Sequence, residues 1–176
     1  MPMELLLDRV ASPIGTVLLA ADGETLRAMD FIDYEDRMHR YLRLHYGEYT
    51  LKEARNPCGL SDRIRAYFDG DVRAIDTIPT RTGGTEFQRE VWARLREIPA
   101  GMTTTYGELA ARIGKPNSSR AVGMANGSNP IVIVLPCHRV IGASGALTGY
   151  GGGLDRKRWL LAHEGALPAQ RELIAK

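Results

Sequence analysis

Asn129-Pro130-Ile131-Val132-Ile133-Val134-Leu135-Pro136-Cys137-His138-Arg139-Val140 is an apolar run closed by a proline and followed at once by a thiol and an imidazole. A run of this kind has the character of a buried element, and reacting groups are held best at the end of a rigid one. An ordinary thiol, with a pKa of about 8.5, is mostly protonated at neutral pH and needs a base to become a nucleophile. Cys137 is therefore the candidate nucleophile and His138 the candidate base. Neighbours in an extended strand point to opposite faces, so the pair can communicate only if the chain turns at Pro136 or a water lies between them. Plainer roles exist for the same residues. Cys137 could be a small buried hydrophobe, His138 a core histidine, Glu164 a helix-end carboxylate and Tyr106 an apolar anchor.

Working outward, residues 154–163 read as a helix that ends at Glu164. Upstream, Thr85-Glu86-Phe87-Gln88 has the form of a capping box, and Phe87, Val91, Leu95 and Ile98 recur on one helical face, which predicts a helix over 86–97. Thr105-Tyr106-Gly107-Glu108 offers a second capping box for a short helix to Ile113, stopped by Gly114, with Pro116 soon after. Asn117 is then placed to cap a helix over 118–126. Two short helices joined by Gly114-Lys115-Pro116 match a helix-turn-helix as well as an ordinary helical hairpin. The second of them is slim, with Ser118, Ser119, Ala121, Gly123 and Ala125 around the single long cation Arg120. Gly123 costs roughly 1 kcal/mol against alanine, which is accounted for either by tight packing on another helix or by insertion into a nucleic-acid groove.

The first third alternates strands and turns. Strands are predicted over 5–10, 16–20 and 25–30, separated by Ser12-Pro13-Ile14-Gly15 and Asp22-Gly23, which gives a small antiparallel sheet. Apolar residues at helical spacing over 34–46 and 60–68 predict two covering helices. Periodicity is lost over 71–84, which ends at Gly83-Gly84, so domains over 1–84 and 85–176 are expected.

The chain has 176 residues, 44% of them hydrophobic and 25% charged, which excludes a disordered or low-complexity chain and allows one full core or two small domains. Its net charge of +2 conceals an asymmetry: residues 1–85 carry 11 basic and 14 acidic side chains, the remainder 12 and 7. Within 100–163 the balance is 7 basic to 2 acidic, a bias that suits an anionic partner and makes nucleic acid the first to test. The opening MPMELLLDRV has three consecutive leucines between charged residues and fits neither an export signal nor a membrane span, so a cytoplasmic location is expected. Two cysteines, Cys58 and Cys137, with no Cys-x-x-Cys or Cys/His cluster of zinc spacing, predict a protein with neither metal nor cofactor.

In its setting, the motif Pro136-Cys137-His138-Arg139-Val140 resembles the O6-alkylguanine-DNA alkyltransferases, the methylated-DNA–protein-cysteine methyltransferases. The setting comprises Asn129-Pro130 before it, Gly149-Tyr150-Gly151-Gly152-Gly153-Leu154 and Trp159-Leu160-Leu161-Ala162-His163-Glu164-Gly165 after it, and upstream Phe87-Gln88, Tyr106-Gly107-Glu108-Leu109-Ala110 and Arg120-Ala121-Val122-Gly123. The resemblance spans roughly 85–165 and implies a ribonuclease H-like α/β domain followed by a mostly α DNA-binding domain with a helix-turn-helix. It implies that Cys137 takes a methyl or other alkyl group from O6 of guanine, with O4 of thymine left open as a second source, in one irreversible displacement that consumes the protein. It also assigns His138 as base through a bridging water, Glu164 as its orienting partner, Tyr106 as proton donor to the leaving base and Asn129 as the residue fixing the turn. Val140, Tyr150 and Gly151 fall at the family's guanine-pocket contacts; some members have serine at the last position. Arg120, with Ser119, Ala121 and Lys115 near it, falls on the DNA-contacting helix, where the family's arginine fills the stack vacated by the extruded base. The implied partner is double-stranded DNA bound through its minor groove by a monomer, with cooperative assembly on DNA left open.

Two other classes compete on residue types alone. A cysteine hydrolase would use Cys137, His138 and Asn129 and would turn over through a labile acyl intermediate. A helix-turn-helix regulator would bind through Arg120 and Lys115 and would not need Cys137.

Overall fold

The fold, a computed structural model, describes residues 2–167. The last part of the expected second domain, 168–176, lies outside the described residues. Contacts divide the chain into two units, one running to Gly84 and taking in Pro130–Val134, the other made of Thr85–Asn129 and the chain from Leu135 onward. The five residues Pro130–Val134, expected in the second domain, thus pack with the first.

In the first unit, β1 (Met3–Val10), β2 (Val17–Asp22) and β3 (Thr25–Phe31) form an antiparallel meander. The turns are those the sequence marks: Gly15 N–H bonds Ser12 C=O at 3.1 Å, and Gly23 has φ of +61°, which a β-carbon would disfavour. β2 buries Val17, Leu18, Leu19, Ala20 and Ala21 because it is paired on both edges and covered on both faces. The sheet is not wholly antiparallel. A fourth strand absent from the sequence expectation, β4 (Tyr49–Glu53), lies parallel to β1 in the order β3-β2-β1-β4. α1 (Glu35–Tyr46) makes that possible, since a parallel neighbour needs a long crossover. Its Met38 and Leu42, one turn apart, pack on Leu5, Leu7, Leu18, Ala20 and Ala28 of the sheet. α2 (Leu60–Phe68) buries Leu60, Ile64, Tyr67 and Phe68 and packs against β1. At the free edge of β3, Met29 N–H bonds Pro130 C=O and its C=O accepts from Val132 N–H, both at 3.1 Å. The apolar run 130–134 is therefore anchored as an edge bridge rather than as a long strand.

In the second unit, α3 (Glu86–Leu95) begins with the predicted capping box: Gln88 N–H bonds Thr85 Oγ1 at 3.1 Å, and Thr85 N–H bonds Gln88 Oε1 at 2.9 Å. It buries Val91, Trp92 and Leu95, and Trp92 Nε1–H donates to Ala125 C=O at 2.8 Å, which ties α3 to the chain around Ala125. A two-stranded parallel ladder joins β5 (Thr104–Thr105) to β6 (Val140–Ile141). α4 (Tyr106–Arg112) is capped by Thr105 Oγ1, while the Glu108 carboxylate takes the Thr104 hydroxyl. It ends in a Schellman turn: Gly114, at φ of +77°, donates to Ala111 C=O, and Lys115 N–H reaches Ala110 C=O. α5 (Ser119–Gly127) follows, capped at Ser118 rather than Asn117 and with no side-chain bond to its first turn. The close approach expected at Gly123 is mild, since a β-carbon there would sit 3.7 Å from the Tyr106 ring, an ordinary contact. α6 (Leu154–His163) closes the unit.

Thr85→Ala removes one half of a fully formed capping box and should lower stability by about 1 kcal/mol. Urea denaturation should show a lower midpoint with an unchanged slope.

Candidate active site around Cys137

The approach to Cys137 is made of tight turns. Val134 N–H bonds Val132 C=O at 2.9 Å across Ile133, whose φ is +72°. This positive-φ γ-turn is strained for a β-branched residue and persists only where its surroundings enforce it. Cys137 N–H then bonds Leu135 C=O at 2.7 Å across Pro136 (φ −80°, ψ 65°), an inverse γ-turn that suits the fixed φ of proline. Asn129 Nδ2 donates to the same Leu135 carbonyl at 2.6 Å from a buried position. The chain thus turns at Pro136, one of the two alternatives left by the sequence, and Cys137–Arg139 form one turn of 3₁₀-helix, in which adjacent side chains need not oppose one another.

His138 lies fully buried beneath this turn, its Nε2 2.9 Å from Glu164 Oε2. Arg139, which follows it, grips the same carboxylate through Nε to Oε1 and an Nη to Oε2, both at 2.8 Å, and donates its other Nη to Ile98 C=O at 2.7 Å. Burial by itself would raise the Glu164 pKa, but His138 and Arg139 outweigh it and hold the carboxyl well below the usual carboxylate range. Burial lowers the His138 pKa, and repulsion from Arg139 and Lys157 adds to that fall, while Glu164 opposes it without prevailing. A neutral imidazole facing an ionised carboxylate must donate from Nε2, which leaves the lone pair on Nδ1. Nδ1 is buried and makes no hydrogen bond among the described residues.

Cys137, Tyr106, Tyr150, Gly151 and Asn126 line one cavity of about 280 Å³. Its outer wall is the loop between β6 and α6, held by the buried Lys157, whose Nζ donates to the carbonyls of Val140 (2.6 Å), Thr148 (2.8 Å) and Gly149 (3.1 Å). Burial lowers the Lys157 pKa to about 8, with attraction to Cys137 acting the other way, so the side chain is an ammonium at neutral pH. The Tyr106 hydroxyl donates to Thr148 C=O at 3.3 Å. On α5, Arg120 and Ala121 are exposed and Ser119 is half-buried. Exposed Lys115 lies with its Nζ 5.0 Å from the centre of the Phe87 ring. Sequence reasoning missed Arg139, Lys157 and Asn126 as site residues. A signal existed for the second: Lys157, Leu160, Leu161 and Glu164 share one helical face, so that face places charges where only apolar residues are expected.

Residues 86–166 match the family model of the 6-O-methylguanine DNA methyltransferase DNA-binding domain, and residues 7–82 match that of the same family's ribonuclease-like domain. The chain is 52% identical over 168 residues to a methylated-DNA–protein-cysteine methyltransferase of Shigella flexneri, covering 94% of this chain and 98% of that protein. The chain belongs to this methyltransferase family. A relative from Methanosarcina acetivorans is 47% identical over 155 residues, covering 88% of this chain and 95% of that one. Among solved structures, the Mycobacterium tuberculosis OGT in complex with DNA superposes with a TM-score of 0.75 at 40% identity, covering 98% of this chain and 99% of that one. The two methyltransferase family models meet near Gly84, between the residues matched by each. No helix among the described residues is long and apolar enough to cross a membrane.

Glu164→Gln leaves the Arg139 charge buried without its counter-ion and should cost about 3 kcal/mol, read as a fall in thermal midpoint at pH 7. The pH dependence has a definite sign. Both Glu164 and His138 have folded pKa values below their unfolded ones, so the unfolded chain binds the extra protons on acidification. Wild-type stability should therefore fall as pH drops below about 6.5 and again through the carboxylate range near about 4, and in Glu164→Gln the second decline should be smaller, with Asp8, whose carboxyl is also held below its usual range, supplying part of what remains.

Proposed function

We propose that this protein repairs DNA by moving a methyl or other alkyl group from O6 of guanine to Cys137, once per molecule. The observation that carries this is that Cys137 lines a cavity of about 280 Å³ and is followed in the chain by a buried His138, bonded to Glu164 and carrying an unbonded Nδ1 that can act as a base. His138 Nδ1 takes the thiol proton, through a water, and Glu164 steadies the imidazolium that results. The Lys157 ammonium, coupled electrostatically to Cys137, stabilises the thiolate as it forms. The thiolate sulfur attacks the alkyl carbon, the carbon–O6 bond breaks, and the electron pair leaves on the guanine. Tyr106 turns from Thr148 C=O to give the departing base its proton. The product is a thioether, whose carbon–sulfur bond is stable to water and to acid–base chemistry, so the protein is spent.

O6 is not reachable inside a duplex, which requires the nucleotide to be extruded. The exposed, small-residue surface of α5 around Arg120 and Ala121 suits close approach to the minor groove, with Arg120 filling the vacated stack and Ser119 and Lys115 contacting the backbone. Tyr150 and Gly151 line the pocket for the base, Val140 is held to the loop beside it through Lys157, and Asn129 keeps the γ-turn that delivers Cys137. Two compact domains, divided after Gly84, share this work, and the cell's DNA in the cytoplasm is its substrate.

Intact-mass measurement after incubation with duplex DNA containing O6-methylguanine should show the addition of one methyl group, mapped to Cys137 and ending at one equivalent; continued product formation would instead mark a hydrolase. Cys137→Ser should abolish transfer and retain DNA binding, and unaltered transfer by that variant would sink the mechanism. Arg120→Ala should slow transfer from duplex DNA by at least tenfold while reaction with a free O6-alkylated guanine base changes little. An equal loss on both substrates would assign Arg120 a structural role.

A further inference from the structure

Met124 stands 73% exposed on α5, a helix whose surface is otherwise small or cationic. Arg120, Ala121, Met124 and Gly127 are exposed there, while Val122, Ala125 and Asn126 are buried. Arg120 and Met124 are four residues apart, so they share one stripe and are its two long side chains. An apolar groove of about 220 Å³ adjoins that stripe, lined in part by Phe87, Ala121, Met124 and Ala125. Over 106–127 the charged residues are all exposed, Arg112, Lys115 and Arg120 against Glu108, and the Lys115 ammonium lies 5.0 Å from the centre of the Phe87 ring. Apolar surface bordered by cations matches the minor groove of DNA, where deoxyribose edges form the walls and phosphates the rims.

An apolar side chain on the floor of that groove is not neutral toward sequence. A·T and G·C pairs both present acceptors there, and G·C adds the guanine 2-amino donor. A methionine thioether is a weak acceptor, so an amino group covered by it loses water without gaining a hydrogen bond. Four residues of helix rise about 6 Å, close to two base-pair steps of about 3.4 Å. We propose that Met124 packs on the minor-groove floor one or two pairs from the lesion and favours A·T over G·C at that place, which makes it a specificity-determining residue for the sequence context of repair. This rests on the alkyl-transfer function proposed above, with Arg120 in the stack at the lesion.

The test compares single-turnover rates of wild type, Met124→Ala and Met124→Gln on duplexes carrying O6-methylguanine, in which each of the two pairs on either side is set in turn to A·T or G·C. At the sensitive position the A·T over G·C rate ratio should be about threefold or more larger for wild type than for Met124→Ala. Any preference that remains in the alanine variant belongs to the pairing strength of the duplex itself. Met124→Gln keeps the length of the side chain but offers an amide oxygen to the guanine amino group, so its ratio should fall to that of the alanine variant or below. Alanine and glutamine are both good helix formers and the position is exposed, so both variants should fold. A wild-type ratio matching that of Met124→Ala at every position, or a Met124→Gln ratio as large as that of wild type, would overturn the proposal and leave alkyl transfer intact. Absence of transfer to wild type from any of the duplexes would overturn the alkyl-transfer function, and this proposal with it.

Discussion

One buried carboxylate organises the chemistry of this protein. Glu164 is held by Arg139 through both of its oxygens and by His138 through one of them, in a place from which water is excluded. A lone carboxylate there would take up a proton, and a lone guanidinium would be intolerable; together they cancel, and the pair remains ionised. His138 is then the residue left to respond. It faces a carboxylate that needs a donor and a guanidinium that repels a second positive charge, so it stays neutral with its hydrogen on Nε2. The protonation state of the imidazole that follows Cys137 in the chain is thus set by Glu164 and Arg139.

Backbone geometry around Cys137 answers to the same logic of enforced local cost. The positive φ at Ile133 is expensive for a β-branched side chain, yet Pro130 and Val132 are both bonded to Met29, which holds the chain where it enters the turn. Asn129 and Cys137 N–H meet on the Leu135 carbonyl, so the second γ-turn is held by a side chain as well as by the backbone. Within the second unit, Lys157 performs the corresponding task for the loop carrying Tyr150 and Gly151, tying the loop carbonyls of Thr148 and Gly149 to that of Val140 in β6.

Much of the architecture could be read from local pattern. The caps at Thr85 and Thr105, the stop at Gly114, the meander turns at Ser12–Gly15 and Asp22–Gly23, and the apolar periodicities of α1, α2 and α3 are all short-range signals, and the elements formed where they pointed. β4 was missed because Tyr49–Glu53 is short, largely exposed and polar at alternate positions, so only its pairing with β1 makes it a strand. The apolar run 131–135 is buried as its composition indicates, but apolar character records burial and not direction, so its two γ-turns are not legible in it.

The sequence by itself determined which residues could react and in what company: a thiol beside an imidazole after a proline, a tyrosine at a helix start, a slim helix with one arginine, and a family resemblance specific enough to order them. Only the tertiary structure decided how those groups work. Chain neighbours cannot report that Glu164 reaches back 26 residues to His138, that Lys157 is an internal cation bound to carbonyls, or that the Asn126 amide donates to the Cys137 carbonyl. Protonation states and hydrogen-bond deficits depend on burial and on partners distant in sequence, and both come into existence only when the chain has packed.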